Sequence, residues 1–147
     1  MDARAFRMHA TWRLPYPSSA VFDALADADT YPTWWPQVRE ATRVDAESGS
    51  ARLRSLLPLS LRIELHRSRQ DASAGLLRAD IRGDLVGWCQ WVVRADGGHT
   101  NVAFDQRVLL MKSVPAVALW ALRPVLYANH RHMMRAGQRG LVRYLGD

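Results

Sequence analysis

VPAVALWALRPVLYANHRHMMRAGQRGLVRYL, residues 114–145, is the stretch on which the fold turns. Leu119, Leu122, Leu126, Met133, Gly137, Leu141 and Leu145 recur at steps of three, four and seven, one apolar stripe along a long helix. Arg123, Arg131, Arg135, Arg139 and Arg143 fall mostly off that stripe. Pro124 lacks the N–H that would continue the ladder, which predicts a kink or the end of a short first segment. Gly137 and Gly140 each cost about 1 kcal/mol of helix propensity, so they imply a close backbone approach, here expected to be to a sheet.

Upstream of that helix the period is two. Phe6, Met8, Ala10 and Trp12 alternate with Arg7, His9, Thr11 and Arg13, the pattern of a half-buried strand stopped by Pro15 and Pro17. Ser18 or Ser19 is expected to cap a short helix with Val21, Phe22 and Leu25 on its apolar face. YPTWWPQV (31–38) follows as a short helical turn or rigid loop, then a strand through Val44. From Ser50 to Met111 strands alternate with turn signals. Ala51 to Leu57 is one strand, with a turn at Pro58. Leu59, Leu61, Ile63, Leu65 and Arg67 line one face of the next. A turn at Asp71 to Gly75 leads to Leu77, Ala79 and Ile81; Leu85 to Arg94 and Thr100 to Leu110 are joined by a Gly97-Gly98 hairpin. The order predicts an α+β domain spanning 1–147. A curved antiparallel sheet of about seven strands wraps a long C-terminal helix, with two short helices after strand 1. A gap between sheet and helix, lined by Trp, Leu and Met, is a natural apolar cavity.

Composition narrows the function. The 147 residues are 48% hydrophobic and 23% charged, with six Trp, which argues for one folded core rather than disorder. Cys89 is the single cysteine, so neither an internal disulfide nor a thiolate zinc site can be built from this chain. The opening MDARAFRMHATW lacks the apolar core of a signal peptide, and charges and prolines interrupt the run from Val108 to Tyr127, so a cytoplasmic protein is expected. The net charge is +6, yet all but one of the 20 basic residues are arginine and they are scattered. With no nucleic-acid motif beside them, the skew reads as genome composition, and no nucleic-acid partner is expected. Apolar Val114 to Leu122 beside Arg123 leaves contact with an anionic membrane as a further class. The spacing gives no oligomeric state.

The proline-bracketed aromatics of VFDALADADTYPTWWPQV after Pro17, together with NHRHMMRAGQRGLVRYL (129–145), resemble the bacterial SRPBCC superfamily. This is the START-like, helix-grip group that includes polyketide cyclases/dehydrases and aromatase/cyclases. The resemblance covers essentially the whole chain. It implies the same sheet-and-helix grip, a small hydrophobic ligand such as a polyketide or lipid, and no cofactor. It also implies an alternative activity, aldol cyclisation or dehydration. For the pocket it implies an inward arginine at Arg67, an aromatic wall that includes Trp91, and an amide at Gln106. Where those cyclases place a tyrosine after the second helix, this chain carries Val38.

Read on their own, the same residues have bland explanations beside functional ones. Arg67 follows Leu65 on an apolar strand face, so it needs an anionic or carbonyl partner or an exit to water. With such a partner supplied by a ligand, it would hold a carboxylate or enolate. Trp34, Trp35, Trp88, Trp91 and Phe104 form either an aromatic wall or plain core, with Trp35 and Trp91 the strongest pocket candidates. Gln106 is an inward polar group in an apolar row. On the helix, Met133 lies beside Asn129, which could hydrogen-bond a ligand carbonyl, and His130 is the one plausible proton shuttle. Arg67 and His130 are thus the candidate catalytic groups; Trp35, Arg67, Trp91, Phe104, Gln106, Asn129 and Met133 are the candidate ligand contacts. No metal site is expected, because His130 and His132 point to different helix faces.

Overall fold

The computed structural model describes residues 3–54 and 60–146. Its elements run β1 (Ala5–Leu14), α1 (Ser18–Ala26), a 3-10 turn (Ala28–Thr30), α2 (Tyr31–Trp34), β2 (Val38–Arg43), β3 (Ser48–Arg54), β4 (Ser60–Asp71), β5 (Leu76–Gly83), β6 (Leu85–Asp96), β7 (His99–Leu110) and α3 (Ala116–Leu145). The strands form one antiparallel sheet in the order β1-β7-β6-β5-β4-β3-β2. The meander from β2 to β7 is therefore completed by β1, which pairs along its whole length with β7, from Ala5 opposite Leu109 to Leu14 opposite Thr100.

Alternation places the faces. On β4, Leu61, Ile63, Leu65 and Arg67 point inward while Arg62, Glu64 and His66 are exposed. The expected extension of β3 to Leu57, the turn at Pro58 and the inward Leu59 lie outside the described residues. The register slips between Arg67, opposite Ala79, and Arg69, opposite Arg78. The extra residue, Ser68, makes a bulge, a device that bends a strand and increases its twist. Trp88 stands on the outer face, not in an inner aromatic wall: it pairs with Asp80, and the Arg78 guanidinium lies 4.1 Å from its ring centre.

Three local expectations are corrected. The cap of α1 is Pro17, in extended backbone, and its carbonyl accepts the first helical bond from the Val21 N–H at 3.2 Å. Ser18 and Ser19 thus fall inside the first turn. Pro124 does not end a short first segment, because α3 runs unbroken over 30 residues with the proline inside it. Proline removes the bond to the Trp120 carbonyl, but Trp120 and Pro124 both face solvent, so water can take its place. The two glycines press against α2 and its C-terminal neighbour rather than the sheet. A Cβ on Gly137 would lie 2.6 Å from the Trp35 ring, and one on Gly140 only 1.7 Å from the Trp34 carbonyl oxygen.

The core has two lobes. Trp12, Leu14, Phe22, Trp34, Trp35 and Leu141 belong to one, beneath the C-terminal half of α3; Phe6, Ile63, Ile81, Leu110 and Leu119 belong to the other, beneath its start. Leu53 and Cys89 touch both. Gly140→Ala tests the tight packing of the first lobe. Alanine is the better helix former, yet the clash with backbone should win, lowering the thermal midpoint by about 5 °C or more in a calorimetric or circular-dichroism melt. A rise would show that α3 can lift off Trp34 at no cost.

Candidate functional site

Between these lobes the sheet and the helix enclose a cavity of about 190 Å3, walled by residues of both. Its wall is largely apolar: Leu25 of α1, Val38 of β2, Leu53 of β3, Leu65 of β4, Leu77 of β5 and Met133 of α3 all reach it. Trp35, Trp91 and Phe104 supply aromatic surface. Trp91 is the hub of that surface, with ring centres 4.5 Å from Phe104, 5.0 Å from Trp12 and 6.2 Å from Trp35. Trp35 is held in place by its indole N–H, which donates to the Met133 carbonyl at 2.9 Å. The ring and the methionine side chain therefore meet the cavity from a fixed joint between α2 and α3.

Polar groups line the cavity as well, with the exposed Asp29, Arg43, Asp45, Glu47 and Arg69 at the rim and the half-buried Arg67 and Arg78 on the strands. Arg67 is half-buried and lines the cavity. Its Nη2 donates to the Ala26 carbonyl at 2.6 Å, so the carbonyl partner that an inward guanidinium requires is the last residue of α1. A cation there also meets the negative end of that helix. Gln106 lines the cavity from β7, and its amide has no hydrogen-bond partner among the described residues. Cys89 lies on the wall too, and burial pushes its thiol up to about 12. At the rim, Arg43 bridges Asp27 and Asp29, each at 3.1 Å, tying the 3-10 turn to β2. The hydrogen bond between the two carboxyl groups raises Asp27 and lowers Asp29, with Arg43 opposing the first and reinforcing the second.

Tyr31, which the residue pattern did not single out, is a wall residue as well. Its hydroxyl donates to the Leu25 carbonyl at 2.6 Å, and burial raises it above the ordinary phenol range. The signal for it was the Tyr-Pro step after the 3-10 turn, which seats the ring at the start of α2, next to Trp34 and Trp35. Val38 lines the same cavity.

Six of the expected contacts, Trp35, Arg67, Trp91, Phe104, Gln106 and Met133, thus share one wall. Two expected residues do not reach it. Asn129 sits one helical turn before Met133, outside the lining. His130 stacks on Phe104, ring centres 6.0 Å apart, and lines a separate groove between β1 and α3. Phe104 itself lines the cavity, whereas His130 does not. Burial also lowers the imidazole to about 4, so it is neutral in ordinary buffers and a weak base. Among the described residues no group of three or more His, Cys, Asp or Glu is placed to hold a metal ion.

A sheet gripping a helix over an apolar cavity defines a START-like protein of the helix-grip class. The chain belongs to the family described as polyketide cyclase / dehydrase and lipid transport, which matches residues 14–117. No curated protein matches the sequence. Solved structures share the fold at low identity. The Zhui aromatase/cyclase from Streptomyces sp. R1128 has a TM-score of 0.75 at 11% identity, over 92% of this chain and 90% of that one. A protein of Thermus thermophilus gives 0.74 at 14%, over 96% and 100%. A START superfamily protein from Mycobacterium smegmatis gives 0.71 at 14%, over 95% and 99%.

The depressed His130 value has a thermodynamic consequence. Above pH 6.5 the neutral ring costs nothing; as pH falls from there towards 4, the unfolded chain takes up a proton that the folded chain refuses. Stability should fall through that window, by up to about 3 kcal/mol from this residue. Urea denaturation at a series of pH values should show a shallower decline for His130→Leu than for the wild type. Parallel curves would mean that the ring titrates freely in the folded state.

Proposed function

We propose that this protein binds a small hydrophobic molecule, polyketide- or lipid-like, in the cavity between sheet and C-terminal helix, with an acidic or carbonyl-bearing end directed at Arg67. The observation that carries the reading is the unequal wall. Aromatic and aliphatic surface from both the sheet and the helices surrounds the half-buried Arg67, whose guanidinium has a single partner among the described residues, and the Gln106 amide, which has none there, while the exposed charges Asp29, Arg43, Asp45, Glu47 and Arg69 stand at the rim. Apolar surface supplies affinity for the body of the ligand, at about 25 cal/mol per Å2 buried, and the two polar groups orient it. The family supports the same class of ligand.

Cyclisation or dehydration is the second reading, and Tyr31 is what favours it. A hydroxyl and a guanidinium on one wall could donate to and stabilise an enolate. Against it, the Tyr31 proton is engaged by the Leu25 carbonyl and burial disfavours its release. Binding without turnover asks less of these residues and is preferred.

Anilinonaphthalene sulfonate, an apolar anion that fluoresces in dry sites, tests the reading directly. Wild-type protein should bind it saturably, and a long-chain fatty acid should displace it. Arg67→Gln should weaken it about tenfold, the worth of one charged hydrogen bond, and Trp91→Ala should weaken it through the wall. Saturable binding that neither substitution changes would place the ligand elsewhere. Native mass spectrometry with organic extraction of protein from its own source would then name the natural ligand class.

A further inference from the structure

The outward side of α3 has an inverted pattern. A helix lying on a sheet turns polar residues to water, yet the first three turns of this one expose Val117, Trp120, Ala121, Pro124, Val125 and Ala128. Val117 is 81% exposed, Trp120 46% and Val125 45%, with Leu122 at 44% and, just before the helix, Met111 at 57%. In the remaining turns the same stripe carries Arg131, Arg135, Arg139 and Arg143, all exposed. From Gln106 to Gly146 there is no Asp or Glu at all, while Arg107, Lys112 and the five arginines of α3 lie there. One helix about 45 Å long thus presents an apolar half followed by an arginine-rich half without an acid.

Two details fit this surface to a partner. The Arg123 guanidinium donates to the Ala5 carbonyl at 2.7 Å and lies 5.1 Å from the Trp120 ring centre, so the exposed indole rests on a fixed cation. From the point where the apolar half ends, the groove between the edge strand β1 and α3 is lined by Arg7, Arg131 and Arg135, none of which forms an ion pair among the described residues. Exposed apolar surface flanked by unpaired arginines complements an anionic lipid bilayer, with side chains at the acyl boundary and guanidiniums at the phosphates. A second copy of the chain fits worse, because it would bring the same acid-free cationic face against itself.

We propose that the outward face of α3 docks on anionic lipid surfaces. The protein would lie on the bilayer and not cross it, as no described helix is long and apolar enough to span. The docking face stands apart from the cavity, so the proposal holds whatever ligand the cavity takes.

The test is flotation with vesicles of phosphatidylcholine alone or mixed in equal parts with phosphatidylglycerol. The protein should float with the mixed vesicles, more weakly as salt rises, and stay behind with pure phosphatidylcholine. Combining Val117→Ser with Trp120→Ala should lower the partition coefficient about tenfold or more, and Arg131→Gln with Arg135→Gln by about tenfold. All four positions are exposed, and far-ultraviolet circular dichroism verifies that the variants fold. Val44→Ser, at a 71% exposed valine in the β2–β3 connection, should leave flotation unchanged. No flotation with mixed vesicles, or loss in Val44→Ser alone, would overturn the proposal. So would a dimer in sedimentation equilibrium that Trp120→Ala dissolves without any vesicle binding. Anilinonaphthalene sulfonate binding should survive in the α3 variants, which separates failure here from failure of the cavity reading.

Discussion

The contact between two glycines and two tryptophans fixes the height of the helix above the sheet. Gly137 meets the Trp35 ring and Gly140 the Trp34 carbonyl, at separations that no side chain on α3 would permit. The Trp35 indole N–H then locks to the Met133 carbonyl. Two glycines in a helix cost about 2 kcal/mol together in propensity. That cost is offset by burial of two indoles, each contributing on the order of 3 kcal/mol. The cluster also leaves the indole N–H groups of Trp12 and Trp34 buried without protein partners among the described residues, a further penalty that dense aromatic packing carries.

From that joint the cavity follows as geometry. The C-terminal half of α3 is clamped to α2, and the helix packs on β1. The sheet meanwhile continues through β5, β4, β3 and β2, curling away with a bulge at Ser68. α1 and α2 close one end but cannot fill the volume, and the wall is left with side chains that have no opposite number. Arg67 shows how the fold manages the one charge placed there. Its inward position is dictated by strand alternation from Ile63 and Leu65, and its partner is a carbonyl that α1 would otherwise expose. Arg67 and the end of α1 therefore satisfy each other, and the guanidinium keeps further donors for a guest.

The sequence was most legible where periodicity speaks. The alternation of β1 and of the inward β4 residues, the two-residue Gly97-Gly98 turn and the apolar stripe of α3 all lie where their spacing put them. Four of the wall residues were readable for the same reason, since strand parity alone turns Trp91, Phe104, Gln106 and Arg67 to one face. What periodicity does not carry is the environment of a side chain. Nothing in the spacing of Asn129, His130 and Met133 says that the cavity ends at Met133 and that Phe104 shields His130. Tyr31 was hidden inside YPTWWPQV, where short helical turns have no period long enough to show which ring faces in. Pro124 and the caps of α1 depended on solvent access and backbone geometry, and neither is written in residue type alone. The target of Gly137 and Gly140 was missed in the same way: the need for close approach is local, but the surface approached is tertiary.

The charges in and around the cavity give it one further property. Burial keeps the Tyr31 hydroxyl protonated and pushes the Cys89 thiol up to about 12, while His130 is both shielded by Phe104 and neutral down to about 4. A guanidinium holds its proton throughout the physiological range. Arg67 is therefore a lasting half-buried charge of the wall, with Arg78 on β5 and the exposed Asp29, Arg43, Asp45, Glu47 and Arg69 around it. A ligand that pairs with it must bring its own negative charge or a carbonyl, and a cationic head would find its partners at the rim, in Asp29, Asp45 and Glu47. Discrimination in such a cavity is set by shape along the aromatic surface and by sign at Arg67 and the rim, with no titrating switch between them.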